Sequence, residues 1–143
     1  MTNPSGAPVA FTIAEQEFLM SPLTDRDIQE LNNFIKQDIL KNAKEFCKTE
    51  TNVTIIEATM KAAMAQVSNV DWIINSDLLQ SVERISYLLW MGVRANTPKP
   101  TRAVFTNLLL SDWETNFDLC METLQLANPF LLKRQTKEEV PVE

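Results

Sequence analysis

The stretch LTDRDIQELNNFIKQDILKNAKEF, residues 23–46, decides the fold class. Ile28, Leu31, Ile35, Ile39 and Phe46 recur at helical spacing, which places them on one stripe of an amphipathic helix. Thr24 stands just before the first turn and Asp27 three residues on, so hydroxyl and carboxylate can cap each other's main-chain N–H groups. Leu23 and Ile28 flank that cap as a hydrophobic staple. Asp25 and Glu30 lead and Lys41 and Lys44 follow, away from the stripe's centre, in the order the helix dipole favours. Isolated helices are marginal in water, so the apolar stripe must be covered by the rest of the chain.

Upstream, Phe11 and Ile13 alternate with small or polar residues, and Glu17-Phe18-Leu19-Met20 follows. That period predicts a short β-hairpin turning at about Glu15, although Ala14-Glu15-Gln16 lacks the glycine such turns favour. Met1 to Val9, with Pro4, Gly6 and Pro8 and little to bury, reads as a disordered arm.

Downstream, a polar link from Lys48 to Asn52 leads to a second helix, about Val53 to Val67. Ile56, Met60, Ala63, Met64 and Val67 share one face, and Ala58, Ala62 and Ala65 make a second, smooth one. Trp72, Ile73 and Ile74 form an apolar loop expected to dock on the core. Ser76 is expected to cap a third helix reaching about Met91, with Leu78, Val82, Ile85 and Leu89 as its stripe, Leu79 and Leu88 widening it, and Gly92 as its stop. After the rigid loop Asn96 to Pro100, a short helix spans about Thr101 to Leu110. A Ser111/Glu114 capping box opens the last helix, about Asp112 to Ala127, whose inner stripe is Trp113, Phe117, Cys120, Leu124 and Ala127. Pro129 ends it. The expectation is a mainly α protein: a compact bundle of about five helices with a short N-terminal β-hairpin. It is organised as an arm over 1–9, a single domain over 10–130 and a mobile charged tail over 131–143.

Composition narrows the function. With 143 residues, 45% of them hydrophobic, the chain can bury a core. Its net charge is −6, and its lysines are interleaved with acids, as at Lys41, Lys44, Glu45 and Lys48. Binding to nucleic acid needs a basic footprint, and an acidic chain is repelled by anionic membranes. No apolar run approaches the ~18 residues of a membrane span, and the polar N-terminus is unlike a secretory signal. Cys47 and Cys120 lack metal-ligand spacing and read as reduced thiols in a cytosol. The chain has no histidine, so no imidazole serves a nucleophile, a typical zinc site or acid–base work near neutral pH. Gly6 and Gly92 are the only glycines, too few for a phosphate-cradling loop. The acids stand in no obvious pairs. The reading is a non-enzymatic protein without metal or cofactor that works by binding another protein.

Three groups are candidates for that binding. Glu114, Asp118 and Glu122 stand four residues apart on one face of the last helix, a row that can meet a basic partner, or simply a solvated face. Trp90 and Arg94 carry the chemistry of interface hot spots, against the plainer reading of a core-edge tryptophan and a helix-end charge. Met60 and Met64 could line a pliable groove for a partner helix, or pack as ordinary core. The hairpin edges could pair with a partner strand or be covered by the arm.

Phe11-Thr12-Ile13, Glu17-Phe18-Leu19-Met20 and then Pro22-Leu23-Thr24 leading into Asp27, Ile28, Leu31 and Phe34 resembles the start of phage tail-assembly chaperones. Leu88-Leu89-Trp90-Met91-Gly92-Val93-Arg94, followed by a proline-bearing loop and a threonine-led short helix, is similar to the end of their central helix. The likeness runs from about Phe11 to Leu126; the glycine-free hairpin turn departs from it. The resemblance implies a chaperone that binds the helical tape-measure protein and keeps it soluble until tail-tube subunits polymerise around it. The tail-tube protein is a further implied partner, and a small homo-oligomer is compatible with the role. It also implies a place in the host cytoplasm during assembly and absence from the mature virion. In this family a longer, frameshifted form is common. The alternatives are a structural virion protein, such as a tail-completion or head–tail connector subunit, or a helical adaptor or regulator.

Overall fold

A computed structural model describes residues 7–96 and 99–129. The chain is mainly α. Strands β1 (Val9–Ile13) and β2 (Gln16–Met20) form an antiparallel hairpin, and helices α1 (Asp25–Thr49), α2 (Val53–Ser68), α3 (Val82–Val93), α4 (Arg102–Leu110) and α5 (Trp113–Ala127) follow. The five helices and hairpin expected from the periodicity are present. β1 begins at Val9, which the sequence reading placed in the arm. The rest of the arm, apart from residues 7 and 8, and the whole tail lie outside the described residues.

The hairpin is short enough to be buried on one face only. Its register pairs Phe11 with Phe18 and Ile13 with Gln16, so Phe11, Ile13, Phe18 and Met20 all point into the core. Ala14 and Glu15 both take positive φ (49° and 64°), the backbone of a two-residue type I′ turn, adopted here without glycine. Phe18 meets Phe105 of α4 edge-on at 5.4 Å. α5 packs against both strands and α3 against β2, while α1 packs against α3.

α1 starts as its sequence requires. The Thr24 hydroxyl accepts from the Asp27 N–H (3.1 Å) and the Asp27 carboxylate accepts from the Thr24 N–H (3.0 Å). Leu31 and Ile35 are fully buried and Ile28 and Ile39 half-buried, but Phe46, expected on the inner stripe, is 49% exposed. The reason is length. At ~1.5 Å per residue, a helix of 25 residues runs ~37 Å and carries its last turns past the body of the protein.

Trp72 and Ile73 dock on the core as expected, whereas Ile74 is exposed. Trp72 donates its main-chain N–H to Asn32 Oδ1 (3.0 Å) and its indole N–H to the Ile28 carbonyl (3.2 Å). The first of these bonds gives a partner to the side-chain oxygen of Asn32, which α1 buries among apolar residues.

Three expected helix ends are revised. Ser76 opens a 3₁₀ turn, Ser76–Leu78, with Asn75 as its cap, and α3 begins only at Val82 under Ser81. Two capping side chains six residues apart split what periodicity alone joins, and Val82 is left exposed. Gly92 does not stop α3, which continues through Val93. Its hydrogen side faces Met20, and a Cβ at this position would overlap the Met20 sulfur. Finally, Ser111 and Glu114 form no capping box: Asp112 is the N-cap without a side-chain bond, and Ser111 Oγ donates instead to the Leu108 carbonyl (2.6 Å), closing α4.

Candidate functional site

The three candidate groups occupy separate places. Glu114, Asp118 and Glu122 are exposed on the outer face of α5 and form no ion pair among the described residues, and the acids stand on a helix otherwise packed against the hairpin, α3 and α4. Among the described residues, no group of three His, Cys, Asp or Glu side chains converges to hold a metal ion. Nor is any helix there long and apolar enough to cross a membrane.

Trp90 and Arg94 do come together, as a fastening inside the molecule. The guanidinium of Arg94 donates to Glu30 Oε2 (2.7 Å), Glu30 Oε1 (2.9 Å) and Asp27 Oδ1 (2.7 Å), and lies 5.0 Å above the Trp90 ring. Tyr87 donates its hydroxyl to the same Glu30 oxygen at 2.6 Å. The Trp90 indole donates to the Pro100 carbonyl at 2.9 Å, tying α3 to the segment before α4. Arg102 of α4 then stacks over Phe34 (5.3 Å) and Tyr87 (4.9 Å). The hydrogen bonds from Arg94 hold the Glu30 carboxyl below its ordinary range and raise the guanidinium's own value. Tyr87 is pushed up to about 12, first by burial and then by its bond to the Glu30 carboxylate. Burial alone pushes the Cys120 thiol up to about 12, the opposite of what an activated nucleophile needs.

Beyond this fastening, α1 and α2 form an arm. The link between them is pinned by its own side chains: Glu50 accepts from the Thr51 and Asn52 N–H groups (both 3.1 Å), and Asn52 Oδ1 accepts from Thr54 (2.9 Å) and Ile55 (3.3 Å) at the start of α2. The chain turns back and α2 lies along the second half of α1. Ala63 is the only α2 residue that is fully buried. Ile56, Met60 and Val67 are half-buried, and the remaining α2 residues other than Thr59 are exposed.

One flank of this arm is a groove of about 470 Å³. Ile39, Asn42, Ala43 and Phe46 of α1 form one wall, Thr59, Ala62, Ala63 and Gln66 of α2 the other, and Arg84 of α3 closes the inner end. Arg84 is the only charged residue on this lining, and Asp38 neutralises it (2.8 Å). Ile55, one turn before Thr59 on the same face of α2, is 42% exposed and adds an apolar side chain beyond the groove, whose lining mixes apolar and polar residues. Lys41, Lys44 and Lys48 line a smaller cleft on another face of α1.

Met60 is half-buried and Met64 is 56% exposed, but neither lines the groove; helical spacing turns Met64 to the flank that carries exposed Val53. The sequence reading places Phe46 on the inner stripe of α1 and Ala62 on the smooth face of α2, but names neither among the partner-binding residues, and it does not name neighbouring Ile55. The available signal was the length of the first helix, which outruns any body the remaining segments can build. Comparison with known protein families, with characterised proteins and with solved structures returned no match.

Proposed function

We propose that the chain is a non-enzymatic binding protein that holds an apolar helix in the α1–α2 groove, and that it serves as a phage tail-assembly chaperone for the tape-measure protein. The observation that carries the reading is the groove itself: open, lined by residues without free charge, with Phe46 exposed in one wall and Ile55 exposed just beyond it. A helix in such a groove buries its apolar face against Ile39, Ala43 and Ala62, and the small alanines let the two backbones approach closely. The shallow seat suits a chaperone, which must release its client once assembly proceeds. The acidic row on α5 lies apart and keeps the loaded complex dispersed by charge.

On this reading the protein acts in the host cytoplasm during phage assembly and is absent from finished particles. The test is co-expression with the tape-measure protein encoded beside its gene, followed by pull-down, and mass spectrometry of purified virions. Co-purification that is lost in Ala62→Glu, with the chain missing from virions, supports the proposal. A stoichiometric place in the particle makes it a structural subunit instead.

A further inference from the structure

The two edges of the hairpin are treated differently by the fold. In a two-residue hairpin the flanking pair Ile13 and Gln16 is hydrogen-bonded, and bonded pairs alternate along the ladder. Phe11–Phe18 and Val9–Met20 are therefore bonded pairs, and Ala10, Thr12, Glu17 and Leu19 turn their main-chain groups outward. On the β2 side the end of α3 and the turn after it cover one end of this edge, where Asn96 donates to the Leu19 carbonyl (2.9 Å) and the Ser21 N–H, just past the strand, donates to the Gly92 carbonyl (2.7 Å), while the other end carries the charge of Glu17.

On the β1 side nothing comparable occurs. Among the described residues, no hydrogen bond reaches the outward N–H and C=O groups of Ala10 and Thr12, and both residues are exposed. Strand edges are usually guarded by a charge, a bulge or an internal proline. Val-Ala-Phe-Thr-Ile has none of these.

We infer that this edge pairs with the same edge of a second copy, giving a four-stranded antiparallel sheet across a two-fold axis. The strand is self-complementary. With the axis beside Phe11, Ala10 of one copy faces Thr12 of the other and the two exchange both hydrogen bonds, and symmetry repeats the exchange. All the outward groups of Ala10 and Thr12 are then satisfied, four bonds in total by this register. Within the ladder no like charges oppose, because the strand is uncharged and its neighbours across the axis would be alanine and threonine. The contact lies on the hairpin and does not involve the α1–α2 groove, so it stands or falls separately from the client-binding reading.

The test is sedimentation velocity of the full chain over a concentration series, with amide hydrogen exchange read by NMR. The expected result is a mass rising from one chain toward two, with the Ala10 and Thr12 N–H groups becoming at least tenfold more protected as it does. Thr12→Pro removes an outward donor while leaving the β1–β2 bonds intact, and Ala10→Lys/Thr12→Lys sets like charges against each other across the axis. Each should hold the protein at one chain's mass with an unchanged far-UV spectrum; the lysine variant decides the matter if the proline variant misfolds. Ala62→Glu should leave the association unaltered. A wild-type chain that stays monomeric throughout, because another strand or its own residues cover the edge, overturns the inference. So does a folded lysine variant that still associates.

Discussion

Arg94 grips Glu30 with both of its terminal nitrogens across 64 positions of sequence, joining the end of α3 to the first half of α1. The pair is fork-on-fork, and its remaining capacity is spent on Asp27 and Tyr87. Both side chains keep about a third or less of their surface in water, so the contact is worth more than a surface ion pair and less than a buried one. Arg94→Met should lower unfolding free energy by about 1–2 kcal/mol in a denaturant titration. In a cycle with Glu30→Gln the two losses should be less than additive.

The same cluster sets a pH dependence. Glu30 is held below its usual value of 4.5, so the folded state binds its proton less readily than the unfolded state does. Its stabilisation is complete above that value and is lost as pH falls below it. Tyr87, raised from 10.0 to about 12, works at the other end: its contribution is complete below pH 10 and is lost as pH rises toward 12. Thermal melts of the wild type and Tyr87→Phe should therefore converge between those two values.

Gly92 faces a fully buried methionine that has no solvent to retreat into. Gly92→Ala gains up to about 1 kcal/mol of helix propensity. It must also displace the Met20 sulfur, and overpacking of this kind costs about 1–3 kcal/mol. The expected outcome is net destabilisation, seen as a lower Tm. If Gly92 were only a helix stop or a neutral interior residue, the alanine variant would melt at the same temperature or higher.

The hairpin turn offers the reverse case. Ala14 and Glu15 occupy left-handed backbone conformations that cost a side-chain-bearing residue about 1–2 kcal/mol each. Glu15→Gly at the second turn position should stabilise the protein by about 0.5–1 kcal/mol, since the glycine's greater freedom when unfolded offsets part of the relief. A rise in Tm with an unchanged spectrum is the expected reading.

Elements whose signals are local were legible before any coordinates. The Thr24–Asp27 cap, the alternation of Phe11 and Ile13, and the docking of Trp72 each follow from residues close in sequence. What escaped depends on a distant neighbour. Gly92 looks like a stop because helices often end on glycine, and only the position of Met20 shows that space is what it provides. Arg94 looks available for a partner until Asp27 and Glu30 are brought to it. Phe46 repeats the period of Ile39, and periodicity carries no information on where the covering body ends.

That last point gives the groove its own prediction. Phe46 and Ala62 line an open surface, with Phe46 49% exposed, so truncating or charging them removes little that the isolated fold depends on. Phe46→Ala and Ala62→Glu should each change unfolding free energy by less than about 1 kcal/mol. An Ala62 carboxylate would, however, be desolvated without a partner beneath any helix seated between α1 and α2. Capture of the proposed tape-measure client should fall at least tenfold for Ala62→Glu and less for Phe46→Ala, measured by quantitative pull-down at equal expression. Reversing the α5 row with Glu114→Lys, Asp118→Lys and Glu122→Lys should leave capture largely intact. If the charge reversal abolishes capture and the groove variants do not, the client is seated on α5, and the acidic row marks the binding face.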